Sequence, residues 1–120
     1  MGVVLCGAGR FDGSEITEAT LTLLHLDKGK AEAHCFAPDA PQFEVCEHFE
    51  GAGLPGQQRN MLVESARIAR GDIVDIATVK GGDLDALIFP GGFGAAKNLC
   101  DFAVKGAYCS VNPEVLRLTK

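Results

Sequence analysis

One arrangement constrains this chain more than any other: a short apolar run that ends in a glycine-rich turn and leads into a helix-forming segment. It occurs twice, as Val3–Cys6 running into Gly7-Ala8-Gly9, and as Leu84–Phe89 running into Pro90-Gly91-Gly92. Compact apolar runs of this kind are expected of strands buried on both faces of a parallel sheet. The second run reads as the best strand in the chain. Parallel strands need long crossovers, usually helical, so the fold class that follows is α/β.

The intervening sequence supplies those crossovers. Ile16, Ala19, Thr20, Leu23 and Leu24 recur at helical spacing, and Lys28-Gly29 is a basic last turn followed by a glycine stop, which predicts a helix over 14–28. Residues 31–37 then read as a second strand, joined to the first by a right-handed crossover. From 38 to 60 the pattern is broken by Pro41, Gly51, Gly53, Pro55 and Gly56. Only 43–49 alternates well enough for a strand or hairpin, so this stretch reads as an excursion from the sheet's edge. Met61, Leu62, Ser65, Ala66, Ile68 and Ala69 define a second helical face closed by Arg70-Gly71. A weaker strand over 73–79, a helix over 94–102 and a last helix beginning at Asn112-Pro113 complete the reading. No strand follows that helix, and the expectation is of a truncated pattern.

Composition narrows the function classes. At 120 residues the chain is expected to form one domain at most. A net charge of −5 and a pI near 5.1 argue against a nucleic-acid partner, which calls for a basic surface. No apolar stretch approaches the roughly 18 residues that cross a bilayer, so no membrane partner is expected. The five cysteines, Cys6, Cys35, Cys46, Cys100 and Cys109, include no C-x-x-C pair. They suggest neither a disulfide framework nor a metal site, and fit reduced thiols in the cytosol or mitochondrial matrix.

Chemistry concentrates at the two glycine turns. In Gly7–Gly13, Gly9 can let a ligand approach the backbone at a helix N-terminus, but the turn departs from the dinucleotide fingerprint because Asp12 stands where the third glycine belongs. Glu15 has two readings: the reciprocal half of a capping box with Asp12 as the cap, or a carboxyl group at the carboxyl edge of the sheet, placed to exchange a proton with a thiol. Gly91 and Gly92 likewise are either a tight turn needing positive φ or a pair of backbone N–H groups that form an oxyanion hole. Cys6 and Cys35 read as core residues. Cys46 and His48 would share a strand face if 43–49 is extended. Cys100, after the second turn, is the thiol to test for reactivity.

Five separated segments taken in order, Gly7-Ala8-Gly9 with Asp12–Ile16, Cys35–Asp39, Arg59-Asn60, Glu64–Gly71 and Phe89–Asn98, resemble the ElbB-like family of the glutamine-amidotransferase-like and PfpI superfamily. The resemblance implies a flavodoxin-like three-layer sandwich with a mainly parallel sheet, of which residues 1–120 are the N-terminal part of a single domain, truncated at the C-terminus. It implies a cofactor-free glyoxalase-type (lyase) hydration of small aldehydes, with Glu15 as the carboxyl partner of the nucleophile and Gly91 and Gly92 as oxyanion donors. The family's nucleophilic cysteine lies beyond Lys120, so little or no turnover is expected of this form. The wording of Glu64–Gly71 is closer to the eukaryotic, mitochondrial branch, with a cytoplasmic setting as the alternative. Two other functions stay open: an interaction protein whose open sheet edge is covered by a second copy or a partner chain, and a nucleotide-binding module.

Overall fold

A computed structural model describes all 120 residues, Met1–Lys120. Strands β1 (Gly2–Val4), β2 (His34–Ala37), β3 (Ile73–Asp75) and β4 (Leu87–Ile88) form one sheet in the order β3-β2-β1-β4. Every pairing is parallel, with Val3 beside Cys35 and Ile88, and Cys35 beside Ile73. Helices α1 (Ile16–Lys28) and α2 (Met61–Ala69) follow β1 and β2, and three shorter helices, α3 (Phe93–Lys97), α4 (Phe102–Lys105) and α5 (Pro113–Thr119), follow β4.

Because side chains alternate across a strand, the apolar run Val3–Cys6 serves two cores. Val3 and Leu5 face Ala19, Leu23 and Leu26 of α1 and Ile68 and Ala69 of α2. Val4 and Cys6 face the other way, towards Ile76, Val79 and Leu99 and towards Val115 and Leu118 of α5. Helices therefore cover both faces of the sheet, the three-layer arrangement of flavodoxin-type folds.

The helix ends follow local signals. Asn60 caps α2 by accepting the Val63 N–H, and Arg70 (φ 55°) and Gly71 (φ 84°) close it in the left-handed region, with both N–H groups on Ala66 O. Asn112 caps α5 through the Glu114 and Val115 N–H groups, with Pro113 at the first helical position.

Several boundaries differ from the sequence reading. The run 84–89, expected to be the best-buried strand, contributes two strand residues, both half-buried, and Phe89 is 39% exposed. The reason is position: β4 is an edge strand with β1 alone beside it, and burial on both faces needs neighbours on both sides. The strand expected over 31–37 begins at His34, because Ala31 N–H still bonds to Leu26 O at the end of α1. The strand expected over 73–79 stops at Asp75, whose side chain accepts the Ala77 N–H and bends the chain into a 3-10 turn over Ile76–Thr78. The helix expected over 94–102 is divided into α3 and α4, with a bridge between Cys100 and Val111 intervening. The excursion over 38–60 leaves from an internal strand, not an edge. It contains a hairpin around the Cys46–Gly53 bridge and folds back over the carboxyl end of the sheet.

Leu5 is fully buried whereas Val63, on α2, is 62% exposed. Leu5→Ala is expected to cost about 2–5 kcal/mol in urea denaturation, and Val63→Ala well under about 1 kcal/mol. Equal losses would show that the α1-facing core is misplaced.

Candidate functional site

The site is built where the two glycine turns meet at the carboxyl end of β1 and β4. The first turn folds on itself: Gly13 N–H donates to Gly9 O (2.7 Å), Gly9 N–H to Ser14 O (2.9 Å) and Ser14 N–H to Gly7 O (3.2 Å). Two buried hydroxyls hold it from below. Ser14 Oγ accepts the Cys6 N–H at 3.0 Å, and Ser65 Oγ, from α2, accepts the Gly7 N–H at 2.8 Å.

The second turn then docks on the first, backbone to backbone. Glu15 N–H donates to Gly91 O (2.7 Å), Phe93 N–H to Arg10 O (2.8 Å) and Gly94 N–H to Gly13 O (2.9 Å). Such an approach leaves no room for side chains. A Cβ on Gly94 would stand 2.5 Å from Gly13 Cα, and one on Gly92 would overlap the Gly13 and Glu15 backbone. Gly92 also has φ 114°, a conformation that L side chains rarely adopt.

This docking fixes Glu15. The expected capping box is not formed: Glu15 is itself the N-cap of α1, its Oε2 accepting the Glu18 N–H at 2.7 Å. Asp12 is engaged elsewhere, buried with Oδ2 accepting the Cys46 N–H at 2.8 Å. A tertiary donor 34 residues away outcompetes the helix end. With the Gly7, Gly9, Phe11 and Gly13 N–H groups bonded within the protein and a carboxylate already on the first turn of α1, this helix end offers little to a phosphate group.

Arg10, Glu15, Glu18, Gly92 and Phe93 line an open cleft of about 280 Å³. Gly91 adjoins it, with the Glu18 carboxylate packed where a Cβ would otherwise lie. The N–H groups of Gly91 and Gly92 have no acceptor within the protein. The structure therefore brings Glu15, Gly91 and Gly92 together. Gly9 lies outside the cleft lining; its missing side chain makes room for Asp12 Oδ1 and His48 Nε2, each within 2.7 Å of where a Cβ would stand.

No cysteine lines this cleft. Cys6 is buried behind the first turn, its Sγ 3.4 Å from Ser14 Oγ, and burial pushes its thiol up to about 11. Burial likewise raises Cys35 and Cys46 above the ordinary thiol range. Cys100 follows α3 with its Sγ directed at Ala95 O (3.4 Å). His48 does not pair with the Cys46 thiol. Its Nδ1 faces Cys46 O at 3.0 Å, and its Nε2 accepts the Phe11 N–H at 3.2 Å, 3.7 Å from Asp12 Oδ1.

Sequence reasoning missed the residues that clamp the turns. Asn98 donates to Cys6 O and Asp12 O, both at 2.8 Å, and accepts the Phe43 N–H at 2.8 Å, joining β1, the first turn and the excursion. Lys97 donates to Phe11 O at 3.0 Å and pairs with Glu44. Ser65 was visible as a polar residue on an otherwise apolar helix face, a signal of a buried hydrogen bond.

No family model matches the chain. Over its whole length it is 54% identical to glutamine amidotransferase-like class 1 domain-containing protein 3, mitochondrial, of Homo sapiens, and 53% identical to the ES1 protein homolog, mitochondrial, of Rattus norvegicus. The ES1 protein, mitochondrial, of Danio rerio is 36% identical. A crystal structure of an isoprenoid biosynthesis protein with an amidotransferase-like domain, from Ehrlichia chaffeensis, superposes on 95% of the chain with TM-score 0.88 and 42% identity. The chain is similar over its whole length to these glutamine-amidotransferase-like and ES1 proteins, and it spans 45–46% of the length of these curated relatives and 53% of the solved chain with the amidotransferase-like domain.

Two outcomes test this geometry. Asn98→Ala removes three hydrogen bonds and is expected to cost about 1–3 kcal/mol in thermal or urea unfolding; a loss below about 0.5 kcal/mol would show that the clamp is dispensable. At pH 8 the Cys6 thiol stays protonated and covered, so alkylation followed by peptide mass mapping should modify the half-buried Cys100 and Cys109 first and leave Cys6 intact. Early labelling of Cys6 would contradict its placement.

Proposed function

We propose that this chain contributes the carboxylate and the backbone-donor side of a site that hydrates small reactive aldehydes, and that these 120 residues alone do not turn them over. The observation that carries the reading is the cleft itself, which Glu15, Glu18 and Gly92 line beside Gly91, with the N–H groups of Gly91 and Gly92 unpaired and no thiol in the lining. Hydration of a 2-oxoaldehyde to a 2-hydroxy acid adds one water. The aldehyde carbon is oxidised as its neighbour is reduced, so no outside oxidant or cofactor is required. Backbone N–H groups suit the oxyanion that forms when a thiolate adds to the aldehyde carbon, and a carboxyl group beside them suits the proton transfers. On this reading the thiolate is supplied from outside these residues. The names of the Homo sapiens, Rattus norvegicus and Danio rerio relatives support a mitochondrial setting.

A second reading, a non-catalytic interaction protein, is favoured by one observation: β4 is an open edge strand with apolar residues exposed around it.

Incubated with methylglyoxal, the purified chain is expected to form no hydroxy acid above the buffer background. Saturable turnover abolished by Cys100→Ala would overturn the proposal and make Cys100 the nucleophile.

A further inference from the structure

The cleft holds a cationic side chain that the hydration chemistry above leaves unused. Of the five arginines, Arg59, Arg67 and Arg117 each have a carboxylate oxygen within 3.8 Å. Arg10 and Arg70, both exposed, are paired with no carboxylate. Arg70 ends α2 and takes no part in the cleft lining, whereas Arg10 lines the cleft with Glu15, Glu18 and Gly92. Arg10 is also held in place. Its carbonyl accepts the Phe93 N–H at 2.8 Å, and its guanidinium carbon lies 5.0 Å from the centre of the Phe11 ring. Phe11 is in turn stacked on Phe93, with ring centres 6.2 Å apart and planes 10° from parallel. The docking of the two turns therefore positions a free guanidinium beside two carboxylates and the unpaired N–H groups of Gly91 and Gly92.

We infer that Arg10 is a covalent modification site for vicinal dicarbonyls, the chemical class to which 2-oxoaldehydes belong. This rests on the aldehyde reading of the cleft and adds a second fate for the bound aldehyde. A guanidino group offers two nucleophilic nitrogens on one carbon, and a vicinal dicarbonyl offers two electrophilic carbons side by side. One nitrogen adds to the aldehyde carbon and another to the ketone carbon, which closes a five-membered dihydroxyimidazolidine ring. Loss of one water leaves a hydroimidazolone. One dicarbonyl enters, one water leaves, and the proton that the guanidinium sheds passes through a carboxylate to solvent, so no oxidant or reductant is needed. The cleft supplies what each addition requires: backbone N–H groups at Gly91 and Gly92 for the oxygen that gains negative charge, and Glu15 and Glu18 to accept the proton. Arg70 shares the exposure of Arg10 but stands apart from these groups, so the arrangement makes one arginine selectively reactive. The adduct is neutral and larger than its parent, and it removes the lining's one cationic residue and fills part of the 280 Å³ cleft.

The test is a time course of the 120-residue chain with methylglyoxal at neutral pH, followed by peptide mass mapping. Arg10 should gain one methylglyoxal less one water at least about tenfold faster than Arg70, the internal standard. Glu15→Gln and Glu18→Gln should each slow labelling of Arg10 and leave that of Arg70 unchanged. Glu18→Gln alters an exposed side chain and spares the Glu15 carboxylate that caps α1, so loss of the fold does not confound it. Equal rates at Arg10 and Arg70, or an Arg10 rate indifferent to both substitutions, would overturn the inference. Amide NMR of Arg10→Gln keeps the two readings apart. If methylglyoxal shifts the Gly91 and Gly92 signals while wild-type labelling is unselective, the modification site is overturned and the aldehyde reading stands; if the signals stay fixed and labelling is unselective, both fall.

Discussion

The structure depends on one contact, the backbone-to-backbone docking of its two glycine turns. Three hydrogen bonds, from Glu15, Phe93 and Gly94 to Gly91, Arg10 and Gly13, cross between segments some 80 residues apart in sequence. They form only because Gly92 and Gly94 have no Cβ to hold the chains apart. Each turn is delivered by a parallel strand, so the pairing of β1 with β4 and the docking of the turns are one structural event. Glu15 is placed by its backbone, which bonds to Gly91, and by its side chain, which caps α1. Neither depends on a ligand, and the carboxylate is preorganised against the second turn.

Around that contact the polar interior is satisfied by residues remote in sequence. Ser14 and Ser65 answer the first turn's buried donors, and Asn98 answers carbonyls of Cys6 and Asp12 while receiving the excursion at Phe43. The excursion therefore behaves as part of the site's wall, fastened by Asp12, Gln42 and Lys97. Leaving such buried donors and acceptors unpaired costs more than their bonds contribute in net stability, which is why the network is closed.

Much of this was legible in the sequence, and the failures share a cause. The cap at Asn112 and the left-handed close at Arg70-Gly71 depend on residues within one turn, and they appear where local signals put them. The two glycine turns were legible for the same reason. The length of β4 was not, because an apolar run declares a strand but not whether a neighbour stands on each side. The role of Asp12 was not, because its partner is a backbone N–H 34 residues away. Asn98 was invisible as a clamp, since nothing local distinguishes it from a solvated asparagine at a helix end. The ElbB-like likeness named the fold correctly but could not supply these tertiary partners.

Residue-resolved amide hydrogen exchange across the two turns tests this account most directly. The amides of Glu15, Phe93 and Gly94 should exchange as slowly as those of β1, because they open only when the turns separate, whereas Gly91 and Gly92, with no internal acceptor, should exchange rapidly. Fast exchange at Glu15, Phe93 and Gly94, or strong protection at Gly91 and Gly92, would contradict the docking of the turns and the cleft built upon it.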